Sequence, residues 1–327
     1  MAHEIATMLD GRAAMAYTGS DVPWHGLGQQ LDVGASIETW AEQAGLNFTI
    51  AGADVLYQDQ NKNLLLQGSK QVLYRTDSGV PLGVVGNKYR VVQPIEILEF
   101  FRDLVSEQGF ELETAGVLFG GSKVWALART GQEAKVGEYD ILKDYLLLAT
   151  ACDGTLKTTA KRTSIRTVCN NTLNIGLKES GGSVKVAHST TFDAQSVKQD
   201  LGLRAEDFDA FVEQAKLLAD TKLTDPQAIA FVRGLFADKS VAGNTQTSRV
   251  LQLYSGSGKG SEFETSKGTA WGVLNGLTEM LDHYQGKSQD RRLEASWLYG
   301  GLTLKQTAMD RLLAFAATND EQVLMLA

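Results

Sequence analysis

The chain has 327 residues, 43% of them apolar and 21% charged, values that exclude a chain disordered throughout. Its 39 acidic side chains outnumber 31 Lys and Arg, giving a net charge of −8. The surface as a whole therefore does not attract nucleic acid non-specifically, which leaves only a local basic cluster for that purpose.

No run reaches the ~18–20 apolar residues that cross a bilayer. The first residues show no basic stretch followed by an apolar one, so no secretory signal is expected. Two cysteines, Cys152 and Cys169, cannot form a disulfide framework, and the expected setting is a reduced bacterial cytoplasm without membrane contact.

Residues 1–35 read as irregular. "VPWHGLGQQL" (Val22–Leu31) suggests a tight loop anchored by Trp24, and His25 has no second ligand at metal spacing. "SIETWAEQAGL" predicts a short helix with Ser36 as its N-cap. From Phe48 to about Val92 the pattern is β, in three runs separated by turn residues. In the third, "PLGVVGNKYRVV", Lys88, Tyr89 and Arg90 stand at a strand start. An aromatic between two cations can stack a base and hold its phosphate, and it is equally an ordinary exposed strand. "PIEILEFFRDLVSEQG" predicts one helix from Pro94 to Gly109.

"ELETAGVLFGGSKVWALART" predicts a hairpin turning at Gly120-Gly121, and "DYLLLATACDG" a central strand. A helix is then predicted from about Thr155 to Leu177, and "SVKVAHST" suggests one more strand. Beyond residue 190 the pattern is helical, interrupted by the Gly- and Ser-rich loop Ser255–Gly268.

The stretch "KTTAKRTSIRTVCNNTLNIGL" (157–177) holds four cations, Lys157, Lys161, Arg162 and Arg166, and no acid. Wound as a helix, it places Thr163, Thr167, Asn170 and Asn174 on one face and Arg162, Arg166, Cys169 and Leu173 beside it. Such a stripe offers hydroxyls, amides and guanidiniums to phosphate oxygens. A helix packed on a sheet with its cations solvated is the plainer reading of the same residues.

Motifs for catalysis are missing from the sequence. "FGGSK" and "SGSGKGS" do not match the phosphate-binding loop. No G-x-S-x-G or H-E-x-x-H occurs. Glu279, Asp282 and His283 fall on a helix, where a solvated or structural face is the simplest role. No enzyme, cofactor or metal site is expected.

Together, "PWHGLG", "VVGNKYRVVQ", "IRTVCNNTL", "GTAWGVLNGLTEMLDH" and "LTLKQTAMDRLL" resemble a widespread phage- and plasmid-borne family defined only as a domain of unknown function. The resemblance covers nearly the whole chain and implies a mobile-element protein. "LKTTAKRTSIRTVCNNTLNIGL" also resembles the DNA-binding helix of the Rad-type single-strand annealing proteins, whose distant phage relatives include Red-beta and RecT. In that comparison Lys161 and Arg162 match a Lys-Arg pair, Arg166 a later Arg, and Asn170 or Asn171 an Asn. The glycines near that helix's end are mostly missing here, and the long helical C-terminal part has no counterpart.

These readings converge on an α+β fold. A mainly antiparallel sheet of five or six strands (48–190) would pack on helices near 94–108 and 155–177. Residues 1–190 would form the core with its central basic helix, and 191–327 a helical region. The expected function is single-stranded DNA binding and strand annealing without nucleotide hydrolysis, as a homo-oligomeric ring or filament. Lys157, Lys161, Arg162, Thr163, Arg166 and Asn170 would hold the backbone, with Lys88, Tyr89 and Arg90 in the same groove. A host single-strand binding protein or phage exonuclease would be a further partner. The alternatives are a counter-defence or host-protein interaction module that touches no DNA, and a hydrolase built on carboxylates such as Asp282 or Glu279.

Overall fold

A computed structural model describes residues 5–19, 27–166, 171–174, 183–201, 205–236, 241–285 and 300–325. The side chains of 166, 171–174, 205, 241–244, 300 and 325 lie outside the description. "PWHG" with Trp24 and His25, and Asn170 and Cys169, lie outside the described residues.

The fold is α+β and mainly antiparallel, but its strands form two sheets rather than one. The larger contains β1 (Met15–Thr18), β2 (Gln29–Leu31), β6 (Glu111–Leu118), β7 (Lys123–Lys135), β8 (Ile141–Ala151), β9 (Thr158–Arg166), β10 (Asn171–Asn174) and β11 (Ser183–Val186). Its order is β10-β9-β8-β7-β6-β1-β2, with β11 also on β9. The smaller sheet is a meander of β3 (Ile50–Gln58), β4 (Leu64–Arg75) and β5 (Pro81–Gly86). The expectation of an irregular first 35 residues is corrected by β1 and β2. These short strands, only four and three residues long, leave too little alternation for a period to show.

The larger sheet is built by period-2 alternation. Ala115, Val117, Ala126, Ala128, Leu146, Leu148 and Ala160 join one core cluster, while Trp125, Leu127, Tyr145, Leu147 and Ala149 join another. Asp144 to Ala151 are all buried, as suits a strand paired on both sides. The hairpin at Gly120-Gly121 forms as its sequence predicts.

The helix predicted for 155–177 does not form. Its first half is β9, antiparallel to β8 from Ala149–Thr159 to Leu142–Arg166, and Asn171–Asn174 fold back on it as β10. β11 occupies the same edge beside Thr158–Lys161, where "SVKVAHST" predicts a strand. The physical reason is composition: four of the nine residues of "TTAKRTSIR" are β-branched, and the segment meets a buried strand that needs a partner. The annealing-protein resemblance was built on a helix, and these residues do not supply one.

Ser36 caps α1 (Ile37–Gln43) by accepting the Thr39 N–H. The helix expected from Pro94 to Gly109 is two: α2 (Pro94–Glu99) and α3 (Arg102–Gln108), broken where Phe100 and Phe101 pack edge to face in the core. Gly109 ends α3 in the left-handed conformation, at φ 73°.

Among the described residues the remaining helices are α4 (Ala194–Leu201), α5 (Ala205–Asp220), α6 (Asp225–Leu235), α7 (Val241–Gln252), α8 (Ala270–Glu279), α9 (Gly300–Thr318) and α10 (Glu321–Met325). Wider π-type turns extend α7 (Leu253–Ser257) and α8 (Met280–Tyr284). From α5 onward they enclose a second core around Trp271, all ten residues of α8 being buried. The β7–β8 hairpin is fastened to it: Leu142 joins that core, and Asp140 accepts bonds from the Trp271 Nε1–H and Thr265 hydroxyl, both at 2.9 Å.

Candidate functional site

Two groups of cations emerge, one exposed and one buried. The exposed group edges an open groove of about 410 Å³ where three connections meet. The end of β5 and the following turn bring Val84, Lys88 and Tyr89; the β8–β9 connection brings Asp153 and Lys157; the stretch after β11 brings His188. The small sheet reaches this place because Gly83 has no side chain: a Cβ there would lie 2.7 Å from the Asp153 Cα.

Lys88, Tyr89 and Arg90 do not begin a strand. β5 ends at Gly86, and Asn87-Lys88 turn the chain so that the Tyr89 N–H donates to the Gly86 carbonyl. The turn aims Tyr89 into the groove. Its ring stacks on His188, with centroids 4.3 Å apart and planes 16° from parallel. Its hydroxyl donates to the Ala151 carbonyl at 2.6 Å, and burial holds the phenol well above its usual range.

His188 lies between backbone carbonyls, Nδ1 3.1 Å from that of Arg90 and Nε2 3.0 Å from that of Leu156, so one or both N–H groups tie neighbouring loops together. Arg90 is exposed and donates its backbone N–H to the His188 carbonyl. Lys88 and Lys157 are exposed on the groove wall. The one acid there, Asp153, accepts the Thr155 N–H and hydroxyl at 2.9 and 2.5 Å, turned into its own loop. At the end of β8, Cys152 is buried, which pushes its thiol up to about 12.

The second group lies on β9 inside the protein. Arg162 is 5% exposed and Asp144 0%. Arg162 sits opposite Leu146, so Asp144, two residues before Leu146, is its diagonal neighbour on the same face. The guanidinium donates Nη2–H to Asp144 at 2.6 Å and Nε–H at 3.1 Å, and reaches the Gln132 amide oxygen at 2.8 Å. Thr130 also donates to Asp144 at 2.6 Å. Burial raises the Asp144 carboxyl, opposed by Arg162.

Lys161 points to the opposite face, 3% exposed. Burial foremost, then the Lys305 ammonium, push its amine down to about 7, with Asp282 acting against them. Lys305 and Asp282 form a buried ion pair. Glu279 is also buried and accepts the Lys259 backbone N–H at 3.0 Å. Thr163 is buried. Arg166 ends β9, opposite Leu142.

The stripe expected on one face of a helix is thus divided. Lys157 joins Lys88 and Tyr89 at the groove, with Arg90 adjacent, while Lys161, Arg162 and Thr163 are interior. Of the solvated or structural face expected for Glu279 and Asp282, the structure shows the structural one: both side chains are interior and bonded. Among the described residues no group of three or more His, Cys, Asp or Glu is placed to hold a metal. Sequence reasoning missed His188, which stands alone just after a short strand. It also missed Asp144, an acid in an otherwise apolar strand, which is the visible sign of a buried partner.

A family model described as "Domain of unknown function (DUF932)" matches residues 81–297, a segment that contains the whole groove and the Arg162–Asp144 pair. No curated protein and no solved structure matches the chain.

Proposed function

The chain belongs to the DUF932 family, and from that premise we propose that it binds single-stranded DNA in the groove between Lys88 and Lys157 and promotes strand annealing without nucleotide hydrolysis. One observation carries the reading: Lys88 with Tyr89, and Lys157 from a distant part of the sequence, line one open groove together with a stacked imidazole. Two ammoniums can hold successive phosphates while the Tyr89–His188 pair offers an aromatic wall to a base. Arg90 supplies a further cation at the rim. Phosphate-centred grip leaves base edges free to test a complement. Lys161, Arg162 and Thr163 take no part in the contact.

One groove is a weak site, so useful affinity comes from several copies on one strand. Gel shifts of a labelled oligonucleotide across a salt series test the reading. Lys88→Ala with Lys157→Ala is expected to weaken binding at least about tenfold at low salt and to flatten the log–log salt slope by about 1.4, two contacts at ~0.7 each. An undiminished affinity in that variant, or no binding by the wild type at low salt, overturns it.

A further inference from the structure

The two walls of the groove are joined through one imidazole. Nδ1 of His188 lies 3.1 Å from the carbonyl oxygen of Arg90, which follows Lys88 and Tyr89 on one wall. Nε2 lies 3.0 Å from the carbonyl oxygen of Leu156, which precedes Lys157 on the other. A carbonyl oxygen only accepts, and a neutral imidazole has a single N–H to donate. The imidazolium, with two, satisfies both contacts. In the neutral ring one nitrogen lone pair faces an oxygen lone pair at hydrogen-bond distance in a buried place, which costs free energy unless the two move apart.

The surroundings decide which contact gives way. Arg90 is held to His188 in both directions, because its backbone N–H donates to the His188 carbonyl at 2.6 Å. A bare Nδ1 would have no room to separate from the Arg90 oxygen, so Nδ1 keeps its proton. Leu156 is tied only through its side chain, buried in the cluster of Trp125 and Leu127. Its carbonyl belongs to the short loop that turns on Asp153 and can rotate away while the side chain stays in place.

The ionisable groups around His188 are Lys88, Tyr89 and Arg90 from the turn after β5, and Cys152, Asp153 and Lys157 from the β8–β9 connection. Burial holds the Tyr89 phenol well above its usual range and pushes the Cys152 thiol up to about 12, so both stay neutral. Lysine, arginine and aspartate side chains keep one charge between about pH 5 and 9, whereas histidine is the side chain that changes charge there. The Tyr89 ring, stacked 4.3 Å away, also favours a cation against its face.

We propose that His188 is a positioning residue whose protonation gates the groove: the imidazolium clamps the Leu156–Lys157 peptide to the Arg90 wall, and the neutral ring releases it. Both consequences run the same way. The imidazolium adds a positive charge to a groove edged by Lys88 and Lys157 and fixes the spacing of those two ammoniums. Loss of the Nε2 proton removes the charge and frees Lys157 to move, so an anionic ligand is favoured on the acid side. The inference rests on the walls and not on what the groove binds.

NMR of the unaltered protein between about pH 5 and 9, with no ligand added, tests it by following the His188 ring nitrogens and the Arg90 and Leu156 carbonyl carbons. On the acid side both nitrogens are expected to carry protons. As pH rises, Nε2 loses its proton, the Leu156 carbonyl resonance shifts with the same midpoint, and the Arg90 carbonyl keeps its hydrogen bond. Protection of the amides at 153–157, corrected for the intrinsic rise of exchange with pH, is expected to fall about fivefold, the net contribution of one hydrogen bond. His188→Gln, whose amide donates to one wall at a time, is expected to abolish the step. A ring that keeps one protonation state throughout overturns the proposal, as does loss of the Nδ1 proton instead, or a titration that leaves the Leu156 carbonyl and the loop unchanged. The wild type supplies these readings even if the variant misfolds, and a failed gel shift with DNA would leave them unaffected.

Discussion

Strand β9 and the groove beside it share one cation-rich stretch of sequence, which begins at Lys157, and use its charges in opposite ways. Lys157 is the last exposed residue before the strand, and four positions later Lys161 is sealed in the interior. Arg162 meets a carboxylate at 2.6 Å with neither partner more than 5% exposed, while Lys88 and Lys157 face an open cleft. A positive residue beside an acid in the core is a structural element. The same charge on a wall with its nearest acid turned away is free to attract something else.

The sharpest way to break this contrast is to remove each kind of cation and measure folding. Arg162→Ala leaves Asp144 buried without its partner, and about 3–5 kcal/mol of stability is expected to be lost, read from urea midpoints. Lys88→Ala with Lys157→Ala should stay within about 0.5 kcal/mol, because exposed lysines do little for the folded state. Equal stability losses in the two variants would erase the distinction. An Arg162→Met, Asp144→Leu pair sharpens it, since replacing both partners with apolar groups should recover much of what Arg162→Ala loses.

How far the sequence shows this difference depends on the period of the pattern. The Ser36 cap, the Gly120-Gly121 turn and the apolar β8 are local signals, and each forms as expected. "TTAKRTSIR" fits a 3.6-residue period by its cation spacing and a period of two by its β-branched residues. Tertiary context, the unpaired side of β8, decides between them. Read in period two, Arg162 and Lys161 must point apart, and the cation stripe dissolves. The groove was half legible: Lys88, Tyr89 and Lys157 stand out by type. Their convergence depends on the small sheet docking at Gly83, which no local pattern encodes. His188 and Asp153 are ordinary residues until that docking happens.

A second measurement separates buried from exposed lysines by pH. Lys161 is held near 7 in the folded protein by burial and by Lys305, while in the unfolded chain it returns to about 10.4. Below pH 7 it is protonated in both states and its burial penalty is complete. Between about 7 and 10 unfolding takes up a proton, so stability rises with pH, by at most about 1.4 kcal/mol per unit. Relative to the wild type, Lys161→Met should be more stable at pH 7, with the gap closing as pH rises toward 10. A gap independent of pH would mean that Lys161 is not shielded from water as its position requires.

The smallest expected effect tests whether the groove is a rigid part of the larger sheet or a loop lying on it. Tyr89 connects the two through one bond, from its hydroxyl to the carbonyl of Ala151 at the end of β8. Tyr89→Phe keeps the ring that stacks on His188 and removes only that donor. A net loss of about 1 kcal/mol is expected, the ordinary contribution of a hydrogen bond, with faster amide exchange confined to the turn at 86–90. If stability is unchanged and the turn exchanges as before, its other bonds hold it: the His188 ring between the Arg90 and Leu156 carbonyls, the Arg90 N–H on the His188 carbonyl, and the Gln71 amide on the Gly86 carbonyl. The groove would then share with β9 the property of being held by a buried polar side chain, and the two regions would differ only in which groups they leave to solvent.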